Sequence, residues 1–221
     1  MSDHKTLFEA IRSGDLAGVK SLVGADALLA SARNDSGVSA VLTSVYTGHS
    51  EIRDFLIASG AALELPEAAA LGNLARVREL IEENRVSANS FSPDEFPVVA
   101  LAAFLGHLEV VQYLAAHGAD INAAATNGSG YNALTGAVTS GHANVVQWLL
   151  EHGANANYRY SAGYSPLLSA AANGRVDIAK LLLAHGADPH ATTNDGKSAS
   201  SLARERNHLQ IAGLFEARAA S

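Results

Sequence analysis

The chain has no cysteine in its 221 residues. That absence removes disulfides, thiolate zinc sites and cysteine nucleophiles, and leaves nothing that points to an oxidising compartment. A basic block is missing too. With a formal net charge of −7 and no cluster of Lys and Arg, the chain has no means of neutralising a phosphate backbone, so nucleic acid is not an expected partner. Long apolar runs are also lacking. The longest uncharged one, FPVVALAAFL at residues 96–105, is too short to span a bilayer. The opening MSDHKTLFEAIRSGD has charges where a signal peptide has its apolar stretch. A cytoplasmic protein that does not enter membranes is expected. Aromatic residues are scarce, at 6% against 48% hydrophobic overall, and alanine is everywhere. That balance favours many small, closely packed elements over one thick core.

What is present is a repeat. The pairs Gly14-Asp15, Gly48-His49, Gly72-Asn73, Gly106-His107, Gly141-His142, Gly174-Arg175 and Asn207-His208 are separated by 34, 24, 34, 35, 33 and 33 residues. Self-similarity at such a period signals a stacked architecture. Each unit has a short apolar segment, the glycine pair, a second apolar segment and then Gly-Ala-Asp or a close variant. Val110, Val111 and Leu114, like Ile178, Ala179 and Leu182, are spaced for one face of a helix. Both segments therefore read as helices, with the glycine pair as the turn between them. The glycine of Gly-Ala-Asp falls where a left-handed C-cap follows the second helix. The segments between units, such as NAAATNGSGYN and ATTNDGKS, have the composition of tight turns.

This order resembles the ankyrin repeat over essentially the whole chain, with a capping unit at each end. The family's Thr-Pro-Leu-His motif is degraded: the corresponding segments read Ser39-Ala40-Val41-Leu42, Pro97-Val98-Val99-Ala100, Asn132-Ala133-Leu134-Thr135 and Ser165-Pro166-Leu167-Leu168. No unit has the histidine. The resemblance implies an all-α solenoid of stacked helix-turn-helix units with projecting β-hairpin fingers, in which fingers and first helices form a concave groove.

One interval is short. After Gly60-Ala61 the next helical segment, PEAAALG, begins almost at once, with Pro66 suited to a first helical turn, so the finger between units two and three is missing and the third repeat is truncated. Residues 7–23 match residues 65–81 at nine places: Leu7/Leu65, Glu9/Glu67, Ala10/Ala68, Gly14/Gly72, Leu16/Leu74, Ala17/Ala75, Val19/Val77, Leu22/Leu80 and, conservatively, Lys20/Arg78. The third unit reads as a second beginning, against the plainer alternative of a loop deletion at a tolerant surface site. The expected organisation is one domain over residues 1–221, divisible into sub-arrays 1–64 and 65–221. A notch in the groove between units two and three is expected at the break.

Chemistry is hard to find. Of nine histidines, His49, His107, His142 and His208 follow the inter-helix turn and His117, His152 and His185 precede the cap glycine. Their spacing is that of the repeat, without the carboxylate partners of a metal site, so they read as structural caps. The run GSGYNA at residues 128–133 fits a dinucleotide fingerprint formally but lacks the preceding strand and βαβ setting. Gly130 instead stands where Gly37, Gly163 and Gly196 stand in other fingers. No catalytic residue, metal or cofactor is expected, and the chain does not read as an enzyme.

The aromatics divide into two groups. Phe55, Tyr113 and Trp148 share one slot of the second helices and are expected to stack between units, and Phe8 and Phe215 to close the two ends. The other eight, Tyr46, Phe91, Phe96, Phe104, Tyr131, Tyr158, Tyr160 and Tyr164, fall in fingers or at the ends of first helices, where the resemblance places partner contacts and the fold needs no aromatic. A patch of this kind marks an interaction site. Arg159, between two tyrosines, adds a cation suited to an acidic group of the partner. The expected function is a monomeric protein-protein interaction module, a scaffold or adaptor, with these nine residues as the binding surface. Two alternatives stand beside it: a self-assembling structural protein, and a small-molecule or nucleotide binder at the 128–131 loop.

Overall fold

The computed structural model describes residues 3–83 and 86–219. These form fourteen α-helices in seven antiparallel pairs. The first helices are α1 (Asp3–Ser13), α3 (Ala40–Tyr46), α5 (Leu65–Ala70), α7 (Val98–Phe104), α9 (Ala133–Ser140), α11 (Pro166–Ala172) and α13 (Ala199–Glu205). The second helices are α2 (Leu16–Ala25), α4 (Ser50–Ala58), α6 (Leu74–Glu82), α8 (Leu108–Ala116), α10 (Ala143–Glu151), α12 (Val176–Ala184) and α14 (Leu209–Ala219). Six pairs turn at their expected glycine and the seventh at Asn207, and Gly106 shows why glycine suits the place: its φ of 83° lies in the left-handed region that side chains disfavour. The cap glycines Gly60, Gly118, Gly153 and Gly186 are left-handed as well. Gly24 is the exception, because α2 runs on through Gly24 and Ala25 and caps at Asp26.

Units stack because the first helices are narrow at one slot. Four residues before each turn residue stand Ala10, Ser44, Ala68, Ala102, Ala137, Ala170 and Ala203, all buried. A methyl or hydroxymethyl group there lets neighbouring first helices approach closely and interdigitate. Gly136 carries the same device further, since a Cβ there would lie 3.2 Å from Cβ of Phe104. Alanine abundance and aromatic scarcity thus have one cause. Larger side chains are fully buried at other slots of both helices, Leu42, Leu134 and Leu167 from the first and Leu114, Leu149 and Leu182 from the second.

The first helices begin without the family's histidine by using short polar caps. Ser39, Asn132, Ser165 and Ser198 each accept from the backbone N–H three residues on. In unit five Thr135 completes a capping box with Asn132, so two orphan donors of the helix end are satisfied together.

The fingers are plainer than β-hairpins. Among the described residues no strand forms, and the fingers hold only isolated bridges: Arg33 with Ser39, Phe91 with Pro97, Tyr160 with Tyr164 and Thr192 with Ser198. Each is too short for a ladder because its tip turns within four residues, as where the Asn34 amide donates to the Val38 carbonyl at 2.9 Å. The expected hairpins are therefore corrected to single-bridge turns.

The break lies where expected. α4 ends at Ala58 and α5 starts at Leu65 with Pro66 in its first turn, leaving no finger. Its consequence differs from the expectation, however. The fingers on either side close over the groove instead of leaving a notch in it. A Cβ at Gly37 would lie 3.2 Å from Cβ of Pro93, and Tyr46 of unit two and Asp94 of unit four's finger line one cavity. Arg33 also reaches forward, to Glu64 at 3.0 Å and to the buried Glu67 at 3.4 Å. The open space lies instead beside α4, in a cleft of about 550 Å³ that Ser50, Arg53, Asp54 and Ile57 share with Leu71 and Asn73. There, contact between α4 and α6 is marginal at most, while every other neighbouring pair of second helices packs.

The apolar core divides at the same place. One cluster runs from Leu65 to Phe215 and another from Leu7 to Leu56, with a small third one of Val38, Leu42 and Ala70 where they meet. Residues 65–221 alone are expected to fold cooperatively, since their core is self-contained; a molten circular dichroism and calorimetric signature for that fragment would count against it. Replacing Leu182, fully buried in α12, by Ala is expected to cost about 2–5 kcal/mol. Because units touch only neighbours, hydrogen exchange should show the loss in units six and seven before units one and two.

Candidate partner-binding surface

The nine candidate residues separate by what surrounds them. Tyr46 at the end of α3, Phe104 at the end of α7, and Phe96 and Tyr131 in two successive fingers line one cavity of about 370 Å³. Its walls are completed by Val45, Ala100, Leu101, Leu105, Asp94, Asn132 and Gly136. Tyr46 and Phe104 are each 43% exposed, so this wall faces solvent. Desolvation, together with the nearby charge of the Asp94 carboxylate, raises the Tyr46 pKa far above the ordinary tyrosine range. The phenol therefore stays protonated. Asn132 is fully buried; its side-chain oxygen accepts from Thr135 N–H at 2.9 Å, and its amide nitrogen has no acceptor.

A second cavity, about 390 Å³, adjoins the first through Tyr131. It is lined by Tyr160, Tyr164, Ser129, Ser161, Thr139, Ser169, Asn173 and Arg206. Here the fold does use the aromatics, which corrects the expectation that it needs none. Tyr131 and Tyr160 have ring centroids 5.2 Å apart, and Tyr158 stacks on Tyr160 at 6.3 Å. The Tyr158 hydroxyl donates to the Gly130 carbonyl at 2.9 Å, and the Tyr160 hydroxyl bonds to Ser169. Desolvation, partly offset by that serine, pushes the Tyr160 pKa up to about 12. Tyr164 packs against the main core. These rings brace one finger against the next as well as facing the groove.

Phe91 and Arg159 line neither cavity. Phe91 is exposed, and Arg159 spends one nitrogen on the Thr192 carbonyl of the following finger at 2.7 Å. Sequence reasoning missed Asp94, Asn132 and Gly136. Their signal was present but indirect: a carboxylate in a finger, an asparagine in the helix-cap slot that Ser39, Ser165 and Ser198 fill elsewhere, and a glycine where the other units have a side chain.

The alternative site at residues 128–131 is a finger tip. Gly128 and Gly130 are left-handed, and Asn127 accepts from the Ser129 backbone and hydroxyl. Among the described residues no group of three or more His, Cys, Asp or Glu could hold a metal ion, and no helix is long and apolar enough to cross a membrane.

Comparison with known proteins decides the family. The family model for ankyrin repeats (3 copies) matches residues 65–160 and 123–193, more than half of the chain. The chain belongs to the ankyrin-repeat family. Human ankyrin repeat domain-containing protein 49 is 41% identical over 56 residues, which cover 25% of this chain and 23% of that relative. The match thus spans under a quarter of the relative's length.

Within the ankyrin array the histidines do more than cap. His49, His107 and His142 make no side-chain bond to the start of the helix that each precedes. Each lies over the turn glycine of the unit before. The His107 ring covers Gly72, and its Nε2–H donates to the Ala70 carbonyl at 3.0 Å. His49 lies in the same way over Gly14, His142 over Gly106 and His208 over Gly174, with Arg175 substituting over Gly141. Gly48 alone among these glycines has nothing over it. There Asn73 turns back to accept from its own helix at Arg76, as Asp15 does at Gly18 in unit one. His117, His152 and His185 do accept their expected role, each holding the carbonyl four residues earlier. The shared aromatic slot is likewise satisfied mainly within its own helix, where Tyr113 stacks on His117 and Trp148 on His152.

Desolvation holds the His107 pKa below its ordinary value, with His142 adding to the effect and the Ala70 carbonyl opposing it. A depressed folded-state value favours the neutral ring, so its stabilisation is complete above the unfolded value of about 6.5 and is lost as pH falls below it. The melting temperature should therefore drop more between pH 7.5 and 5.5 in the native chain than in His107→Gln. Equal drops would show that His107 is not the group responsible.

Proposed function

We propose that the chain is a non-enzymatic scaffold or adaptor that docks a partner protein along the aromatic strip from Tyr46 through Phe104 and Tyr131 to Tyr160. Ankyrin repeats generally serve as protein-protein interaction modules. The observation that carries the finer reading is the strip itself, in which two adjoining cavities share Tyr131 and are walled by six of the nine candidate residues. Aromatic rings around a partly apolar depression are what interfaces use as anchors. The first finger, with Arg33 turned to Glu64 and Glu67, and the last, with Lys197 paired to Glu205 at 2.8 Å, present no such ring.

We also infer that the array consists of two sub-arrays, residues 1–64 and 65–221. Three independent features coincide at the junction: the divided core, the uncovered Gly48, and the self-capping Asn73 that repeats Asp15. A unit that caps itself and does not reach back behaves as a first unit.

Phe104→Ala is expected to weaken partner binding by about 2 kcal/mol, roughly thirtyfold. Its melting temperature should stay close to that of the native chain, because the ring is 43% exposed. Asn34→Ala in the first finger should leave affinity unchanged. Titration calorimetry with the captured partner distinguishes the two surfaces: loss with Asn34 and none with Phe104 would put the interface elsewhere.

A further inference from the structure

The cavity at Tyr46 lies where the end of α3 in unit two meets the finger and first helix of unit four. Its chemistry is specific. Carbon surface from Leu101, Phe96, Phe104, Leu105 and Tyr131 forms the walls. No Lys or Arg lines it, and Asp94 supplies its one carboxylate. That carboxylate already accepts from Ser92 Oγ at 2.6 Å. Glu95 follows it on the same finger tip, exposed, and the chain as a whole carries a net charge of −7. The nearest arginine across the break, Arg33, is occupied by the Gly37 carbonyl, Glu64 and Glu67. Finally, the amide nitrogen of Asn132, on the same lining, has two donor hydrogens and no acceptor.

We propose that this cavity takes one bulky apolar side chain, leucine or an aromatic, from an extended partner segment that carries Lys or Arg within two residues of it. The inference rests on the groove reading above and names the chemistry of its partner. The apolar side chain covers the walls of the 370 Å³ space and removes Tyr46 and Phe104 from water. The neighbouring cation meets Asp94 and Glu95, where no protein cation competes. A backbone carbonyl of the segment is the acceptor that the Asn132 amide lacks, and an unmatched buried donor of this kind favours a ligand that supplies one. An acidic segment would place like charge against Asp94, which selects against it.

A displayed library of random twelve-residue peptides, selected on the full chain, tests the proposal. Expected is enrichment of sequences pairing a bulky apolar residue with Lys or Arg. Synthetic copies, read by fluorescence anisotropy, should bind at least tenfold more weakly to Tyr46→Ala and to Phe104→Ala. They should bind at least threefold more weakly, and with a flatter salt dependence, to Asp94→Asn, and unchanged to Asn34→Ala. Circular dichroism melts of each variant separate lost binding from lost fold. Enriched peptides that are acidic or lack an apolar anchor overturn the proposal, as does affinity indifferent to Tyr46, Phe104 and Asp94. If such peptides weaken instead on Tyr158→Phe or Arg159→Ala, the cavity assignment fails and the groove reading stands. Peptides indifferent to all nine candidate residues, or no enrichment at all, remove both. Self-association in sedimentation that Phe104→Ala abolishes would assign the cavity to a second copy of the chain. Binding of anilinonaphthalene sulfonate that no enriched peptide displaces would assign it to a small apolar ligand. Either result overturns the proposal.

Discussion

Everything in this array depends on how closely one first helix can lie against the next. The slot four residues before each turn residue holds alanine in six units and serine in the other, and no larger side chain fits while neighbours interdigitate there. That single restriction sets the spacing between units, while leucines of both helices, Leu134 and Leu167 as well as Leu149 and Leu182, fill the core around it. It also sends the rings to the margins, to the ends of α3 and α7 and out along the fingers. The binding surface is therefore made from residues that the stacking excludes. Ala102 and Phe104, two positions apart on α7, show the division: one is buried against the next unit and the other faces solvent.

Loss of one finger changes more than local length. With nothing between units two and three to hold them apart on the finger side, Pro93 meets Gly37 and Asp94 meets Tyr46. The second helices α4 and α6 are left splayed on the other side of the array. The ion pairs of Arg33 span the same gap. Glu67 is fully buried with one oxygen unpartnered, so its charge depends on Arg33, and removing the arginine would leave that charge unmatched. The junction thus adds a buried ion pair to the small apolar cluster of Val38, Leu42 and Ala70.

The repeat, the helix pairs and the break were all legible in the sequence, because each is a matter of spacing along one chain. Contacts between units were much less so. That His107 belongs to the turn of unit three and not to its own helix follows from a rise and rotation between units that no local pattern encodes. Asp94, Asn132 and Gly136 escaped notice for the same reason: each matters through what a neighbouring unit places against it. Tyr158 and Tyr160 were recognised as candidate contacts, but their bracing of adjacent fingers depends on contacts across units, the Tyr160 ring 5.2 Å from that of Tyr131 and the Tyr158 hydroxyl 2.9 Å from the Gly130 carbonyl, that composition does not report. Arg159 looked available beside two tyrosines, and its contact with Thr192 lies 33 residues away in sequence.

The backward-reaching histidines give the array a direction in time as well as in space. A ribosome releases units in order from the N-terminus, and each turn glycine is covered only by a side chain made one unit later. Gly72 waits for His107, Gly106 for His142, and Gly174 for His208. A growing chain therefore always ends in one unlatched turn, which the next thirty-odd residues secure. Gly48 never receives such a latch, so the turn of unit two is the one in this series that translation of the next unit leaves uncovered.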